Sequence, residues 1–433
     1  MPLPETIPDK YLPPAPETSG ELGLPQDFVT LFILRRLATN GQSTPRTLAR
    51  TMGLSMSAID TIIKELMSRE EIATVGMSPT QELRYGATAK GKQRHLDESG
   101  MMSYSAYMPV NLIDYTRLIE SQRRQPELSK EGLKAAYTDL VISDELFGQI
   151  GPAMTNTRPA LFWGPPGTGK TSVAERIIRL TKDAILIPHT VYVEGAIIKV
   201  FDPEVHIAAA NQPEGLDSRW VLCRRPAVIR GGELTMSGVN LQWEPDAGVY
   251  RAPAQMIANN GVLIVDDFGR QQITASELLN RWIYPMSRDK DILTLNTGLT
   301  FEVPFDCKVV FSTNMDPKEL GGGDEAFLRR IPNKVYIGEI TAEQFDQVLD
   351  IVKKIRKVEV SPQATAHLRA RIRELSPAGD LRPYLPMDFL DIFIAIADYE
   401  GWEYQLTKGV IDRIAPAYFA QSGGKWATAA SGS

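Results

Sequence analysis

The 433-residue sequence is poor in cysteine and histidine, with two and four respectively. Cys223 and Cys307 make no disulfide framework, and no Cys/His group has metal-ligand spacing. A reducing, cytoplasmic compartment is the expected location. His95, His189, His206 and His367 are scattered and read as structural. No apolar run approaches the ~20 residues of a membrane span. The start lacks the charged-then-apolar pattern of a signal peptide. The net charge of −6 argues against a wholesale nucleic-acid binder and leaves room for a local basic patch. Internal repeats are not apparent. What remains is ordinary globular composition, 43% hydrophobic and 23% charged, over a length that suggests two to four domains.

Residues 1–24 hold six prolines and little apolar content, the pattern of a disordered tail. The last residues, 421–433, read as a second one. From residue 25 the pattern is regular. "DFVTLFILRRLAT" predicts a helix. "TPRTLARTMGL" predicts a short one, with Thr44 as N-cap, Pro45 at the first position and Gly53 at the end. In "SMSAIDTIIKELMSRE", Ile59, Ile62, Ile63, Leu66 and Met67 recur at helical spacing and mark a buried face. "IATVG" and "LRYGAT" predict two strands about a turn, and "AKGKQRHLDE" a closing helix. Residues 99–129 are mixed and polar and read as a linker. Residues 130–339 alternate strands and helices, which predicts an α/β domain with a mostly parallel sheet. Residues 340–420 predict four helices, near 341–356, 361–374, 386–399 and 405–418.

The strongest signal is "ALFWGPPGTGKTS". Gly164 to Thr171 matches G-x-x-x-x-G-K-[ST] between an apolar strand and the helix "SVAERIIRL". The backbone of Gly164, Pro165, Pro166, Gly167, Thr168, Gly169, Lys170, Thr171 and Ser172 should wrap phosphates, helped by the helix N-terminus. Lys170 should reach the β- and γ-phosphates, and Thr171 should place its hydroxyl on magnesium. "GVLIVDDFGR" ends an apolar strand in two acids. Asp266 is the expected second magnesium ligand, and Asp267 the group that steers the attacking water. "KVVFSTNMDP" ends a further strand at Asn314, which can orient that water. Arg329 and Arg330 follow in "DEAFLRRIP".

In this order the four elements resemble the AAA+ ATPases over roughly residues 130–420, as Walker A, Walker B, sensor 1 and arginine finger, with the last four helices as the lid. The resemblance implies ATP and Mg2+ as cofactors. It also implies a homo-hexameric ring in which a neighbour's Arg329 or Arg330 completes each site. "LTLNTGLTFEVP" looks like a pre-sensor-1 hairpin. The strands of "VYVEGAIIKVF", "WVLCRRPAVI" and "LQWEPDAGVY" resemble a helix-2 insertion. Together they are similar to the MoxR-like branch, which contains chaperone-type remodellers. The three helices, hairpin and helix of residues 25–98 resemble a winged helix-turn-helix. Two departures stand out. The water-steering residue of the family is a glutamate, and here it is Asp267. Met387 stands where a lid arginine is expected, with Arg382 five residues earlier as a substitute.

Asp267 is one methylene shorter than glutamate. A ~1 Å misplacement costs on the order of 100-fold in rate, so slow hydrolysis is expected rather than none. Three roles compete: remodelling of a protein client or complex, a DNA-linked motor or regulator using the winged helix, and a slow nucleotide-dependent assembly switch. Residues 25–98 carry ten Lys/Arg against eight Asp/Glu, and Asp60 and Glu65 sit on the second motif helix, so the basic stripe of a DNA binder is weak. Lys90, Lys92 and Arg94 form a small cluster near the wing. Arg219, Arg224, Arg225 and Arg230, with Trp220, form another that can line a pore and grip an acidic client or a strand of nucleic acid, or make salt bridges between subunits of a ring.

Overall fold

The computed structural model describes residues 12–98, 100, 102–123, 129–181, 183–320, 329–376 and 379–419. At its centre is an all-parallel sheet of five strands, in the spatial order Asn333–Tyr336, Ala160–Trp163, Lys308–Thr313, Val262–Val265 and Ala227–Arg230. Ala160–Phe162, Val262–Val265 and Val309–Phe311 are continuously buried. Such runs are what strands covered by helices on both faces require. Ala160–Trp163, first of the five in the chain, lies between the fifth and the fourth. Connections therefore leave it on both sides, and a crevice opens at its carboxyl end.

Ala227–Arg230, expected within an insertion, is the edge strand of this central sheet. The remaining strands of that stretch build around it. Thr190–Val193 and Ala196–Lys199 join Gln242–Glu244 and Val249–Arg251 in a second five-stranded sheet. Ala184–Pro188 pairs antiparallel with Trp220–Arg224. The hairpin expected before the Asn314 strand forms from Lys290–Thr294 and Thr300–Pro304.

Two expectations about connecting segments are corrected. The tail read over 1–24 does not extend over its described part. Gly20–Leu22 forms a 3-10 turn, Leu22 is fully buried, and Asp217 donates its backbone N–H to the carbonyl of Pro13. Residues 110–122, within the linker read over 99–129, are part of the α/β core. Val110–Asn111 pairs with Thr190–Val193, and the helix Leu112–Ser121 buries Tyr115, Leu118 and Ile119. Three apolar residues at helical spacing were visible there, but polar flanks obscured them. Residues 1–11 and 420–433 lie outside the described residues.

Residues 26–98 form the helices Gln26–Asn40, Pro45–Met52 and Met56–Ser68, the hairpin Ile72–Met77/Leu83–Ala87, and the helix Ala89–Glu98. Thr44 caps the second helix by accepting from the Thr47 N–H at 3.2 Å. Ile59, Ile62, Ile63 and Leu66 are buried as expected, whereas Met67 is 42% exposed. These helices share one apolar cluster with Ile197 and Val249 of the second sheet, and the Phe28 and Tyr192 rings lie 4.5 Å apart. The unit is therefore built into the body of the chain.

The last block forms the helices Ala342–Arg356, Pro362–Leu375, Leu385–Glu400 and Lys408–Tyr418 around their own core of Phe345, Leu368, Phe389 and Phe393. Thr341 and Gln344 make a capping box at its start. Among the described residues no helix is long and apolar enough to cross a membrane.

Candidate functional site

The crevice at the carboxyl end of Ala160–Trp163 holds the glycine-rich loop. Gly164 has φ +146°, and a Cβ there would lie 2.2 Å from the carbonyl oxygen of Ile337. Gly167 has φ +77°, and a Cβ there would lie 2.3 Å from the Tyr384 ring. Both positions exclude a side chain by conformation and by space. The Thr168 hydroxyl donates to the Pro165 carbonyl at 3.0 Å and tightens the loop. Lys170 is 5% exposed, and its Nζ donates to the carbonyls of Gly164 at 3.1 Å and Pro165 at 2.7 Å. Burial holds this ammonium below its ordinary pKa, while the carboxylates of Asp266 and Asp267 act to raise it.

Strand pairing brings the acids to the same edge. The Thr171 hydroxyl sits 3.0 and 2.9 Å from Asp266 Oδ1 and Oδ2. These are hard oxygens, the donor type Mg2+ takes, and a Mg2+ bound with phosphates needs only one or two protein ligands. Among the described residues no group of three or more His, Cys, Asp or Glu side chains could hold an ion unaided. The donor set thus fits an ion that arrives with a phosphate chain. Asp267 lies beyond the strand with φ +50°, a left-handed conformation that Asp and Asn tolerate better than longer side chains. Asn314 donates from Nδ2 to Asp267 Oδ1 at 3.0 Å. The two side chains come from neighbouring strands, so their register sets this contact.

A cleft of about 910 Å³ joins these groups to the last helical block. Gly167 to Ser172, Asp266, Asp267 and Asn314 line one wall, and Ile351, Ile355, Tyr384 and Met387 line another. Its volume suits a nucleotide-sized ligand. Met387 faces the cleft and carries no charge. Arg382 reaches the loop instead: Nη1 donates to the Pro166 carbonyl and Nε to Asp380 Oδ2, each at 2.9 Å. Tyr384, which the sequence reading did not weigh, packs on Gly167. Its position follows from the helix start at Leu385, which was legible.

Arg329 and Arg330 are elsewhere. They line a second cavity with Pro159, Val262 and Lys308, at the amino-terminal ends of the strands. The structure thus brings together Lys170, Thr171, Asp266, Asp267 and Asn314, and separates the arginine pair from them. In the inserted stretch, Arg219 is buried on Asp217 and Arg225 on Asp183, both at 2.8 Å. These two are internal ion pairs and do not line a pore.

Residues 341–415 match the family model described as a domain of unknown function (DUF8689). No curated protein matches the chain. Among solved structures, NtrX of Brucella abortus is similar at 15% identity and a TM-score of 0.42, over 64% of this chain and 55% of that one. NtrX in complex with ATP gives 17% and 0.41, over 69% and 60%. The RuvB Holliday junction branch migration motor of Thermotoga maritima gives 13% and 0.36, over 69% and 72%. The chain therefore spans little more than half the length of NtrX in the first of these matches.

Proposed function

We propose that the chain is a ring-forming AAA+ ATPase of the helix-2-insertion, MoxR-like kind, which couples ATP hydrolysis to remodelling a protein client or complex. The observation that carries this reading is the convergence of Lys170, Thr171–Asp266 and Asp267–Asn314 at the switch point of a 5-1-4-3-2 parallel sheet. In this reading Gly164 to Ser172 and Lys170 hold the phosphates of ATP, and Thr171 and Asp266 hold Mg2+. Bound Mg2+ supplies charge neutralisation. Asp267 accepts a hydrogen bond from the attacking water, and Asn314 fixes the Asp267 carboxylate. Phosphate release from Mg-ATP should be lost in Asp266→Ala. Equal rates in parent and variant would discard the reading.

The protein-client reading draws on residues 26–98, taken as a winged-helix unit. A DNA-reading helix of this type enters the groove by its N-terminal residues. Here the cap of Met56–Ser68, Ser55, donates to the Pro16 carbonyl, and the preceding helix end is tied by Met108 N–H to Met52 O at 2.9 Å. Ser55 and the helix end before it are thus held by the chain itself, while Met56 and Ser57, which open the helix, are exposed. The outward surface carries exposed Met56, Met67, Val75, Met77 and Leu83. Arg94 of the basic cluster is paired with Glu71 at 2.8 Å and Glu98 at 3.1 Å. A DNA-linked motor is the second reading, favoured by Lys64, Lys90 and Lys92, which stay exposed. Duplex binding by the full chain decides between them. DNA contact would give an affinity that falls steeply with salt, and Lys90→Ala with Lys92→Ala would flatten that slope. The protein-client reading predicts no such binding, and predicts that an Asp267→Asn variant retains a protein partner in ATP.

A further inference from the structure

We infer that Gln271 is the positioning residue for the Asp267 carboxylate, acting through the turn that carries it; this rests on the hydrolysis reading above. Asp266, Asp267, Phe268 and Gly269 form a four-residue turn beyond the strand Val262–Val265. A direct bond from the Gly269 N–H to the Asp266 carbonyl would close such a turn. Here the Gln271 carboxamide stands between them. Its Nε2 donates to the Asp266 carbonyl at 2.6 Å, and its Oε1 accepts from the Gly269 N–H at 2.8 Å. The two ends of the turn are thus spaced by one planar amide, and only a group that donates and accepts at once can hold both.

The consequence falls on Asp267. It is the second residue of the turn and has φ +50°, a left-handed conformation that most L-residues avoid. Its neighbour Phe268 is pinned separately. Its N–H donates to Ser312 O at 2.7 Å, and its carbonyl accepts from Thr313 Oγ1 at 2.8 Å. Asp266 is fixed by its N–H on Arg230 O at 2.8 Å. Asp267 lies between these two fixed points, its own carbonyl accepts from the Arg270 N–H at 2.9 Å, and Gln271 sets the remaining span of the turn that aims its side chain at Asn314. Without Gln271 the turn can close on itself or open to water, and either rotates the Asp267 carboxylate. Gln271 is half-buried and forms no part of the cleft lining. The Asp266 carboxylate is held separately, by the Thr171 hydroxyl at 2.9 and 3.0 Å. Phosphate and metal binding should therefore survive its loss.

The test uses the full chain and its steady-state phosphate release at saturating Mg-ATP. Gln271→Ala should lower kcat by about 10- to 100-fold, the scale of a misplaced reacting group. The Kd for a fluorescent ADP should stay within about twofold. Gln271→Glu supplies the sharper readout. A glutamate has the same shape, but its carboxylate only accepts. Gln271→Glu, which keeps the shape and gives up the donor to the Asp266 carbonyl, should therefore lose kcat about as far as Gln271→Ala, with the ADP Kd again within about twofold. Parent-like kcat in Gln271→Ala or in Gln271→Glu overturns the inference and leaves the hydrolysis reading intact. A parent chain that releases no phosphate overturns both. An equal fall in kcat and nucleotide affinity in Gln271→Ala, with a lowered Tm, assigns Gln271 a structural role and also overturns it.

Discussion

The two ends of the central sheet differ in what they collect. The carboxyl ends gather the glycine loop, Thr171 on Asp266, and Asn314 on Asp267. The amino ends gather Arg329 and Arg330 beside Lys308, whose ammonium is spent on the backbone carbonyls of Ala153 and Asn156. Lys308–Thr313 runs between the two ends and, at six residues, spans about 20 Å. An arginine side chain cannot bridge that distance. Under the proposed reading the chain would present a phosphate face and an arginine face on opposite sides, the arrangement a closed ring of identical copies would use.

The largest effect should come from breaking this pairing of faces. Arg330→Ala is expected to cut turnover by about 10³-fold or more, the scale for an arginine that stabilises a transferring phosphoryl group. Nucleotide affinity should change little. Mixing Arg330→Ala with Lys170→Ala subunits should restore part of the activity, since some neighbours then share one intact site. Absence of recovery in mixtures that co-assemble by light scattering would put the arginine to work within its own subunit, against the separation seen here.

The acids sharpen the phosphate face. Asp267→Asn should keep Mg-ATP binding and lose about 100-fold or more in rate, with phosphate release and equilibrium binding as the two measurements. Asp267→Glu, which installs the residue usual in the AAA+ ATPases that the sequence resembles, should not raise turnover beyond a few-fold. The extra methylene gains reach, but φ +50° favours the shorter side chain. A tenfold gain would show that side-chain length outweighs backbone conformation at this position.

Much of the phosphate face was legible because each part is a local pattern: a glycine loop after a strand, and acids or an asparagine at strand ends. The helices of the last block were legible from their periodicity, with Leu385–Glu400 found within a residue or so of its expected bounds. Contacts that depend on distant segments were not. Leu22 and Tyr115 are buried by residues far along the chain, so proline content and polar flanks misled. Arg219 and Arg225 read as a pore lining or as salt bridges between subunits because a count of charges does not show burial: Asp217 is two residues from Arg219, and Asp183 is 42 from Arg225. The role of Gln271 depends on a turn width that no spacing rule encodes.

The smallest effect concerns the lid side of the cleft. Met387 lines it without charge, and Arg382 touches the loop from five residues earlier. One charge-assisted bond to the Pro166 carbonyl is worth roughly 1.5–3 kcal/mol when buried, and less here, where the contact is exposed. The same guanidinium is held by Asp380, so its direction is fixed toward the loop. Arg382→Ala should therefore weaken ATP binding by about tenfold or less. If Arg382 also meets the terminal phosphate, ATP should suffer more than ADP. Met387→Ala, which removes only apolar lining, should shift either affinity by less than about twofold. Equal loss of ATP and ADP in Arg382→Ala would confine the residue to holding the loop. A larger loss in Met387→Ala than in Arg382→Ala would reverse the assignment and return the lid's contribution to the position where the family resemblance first put it.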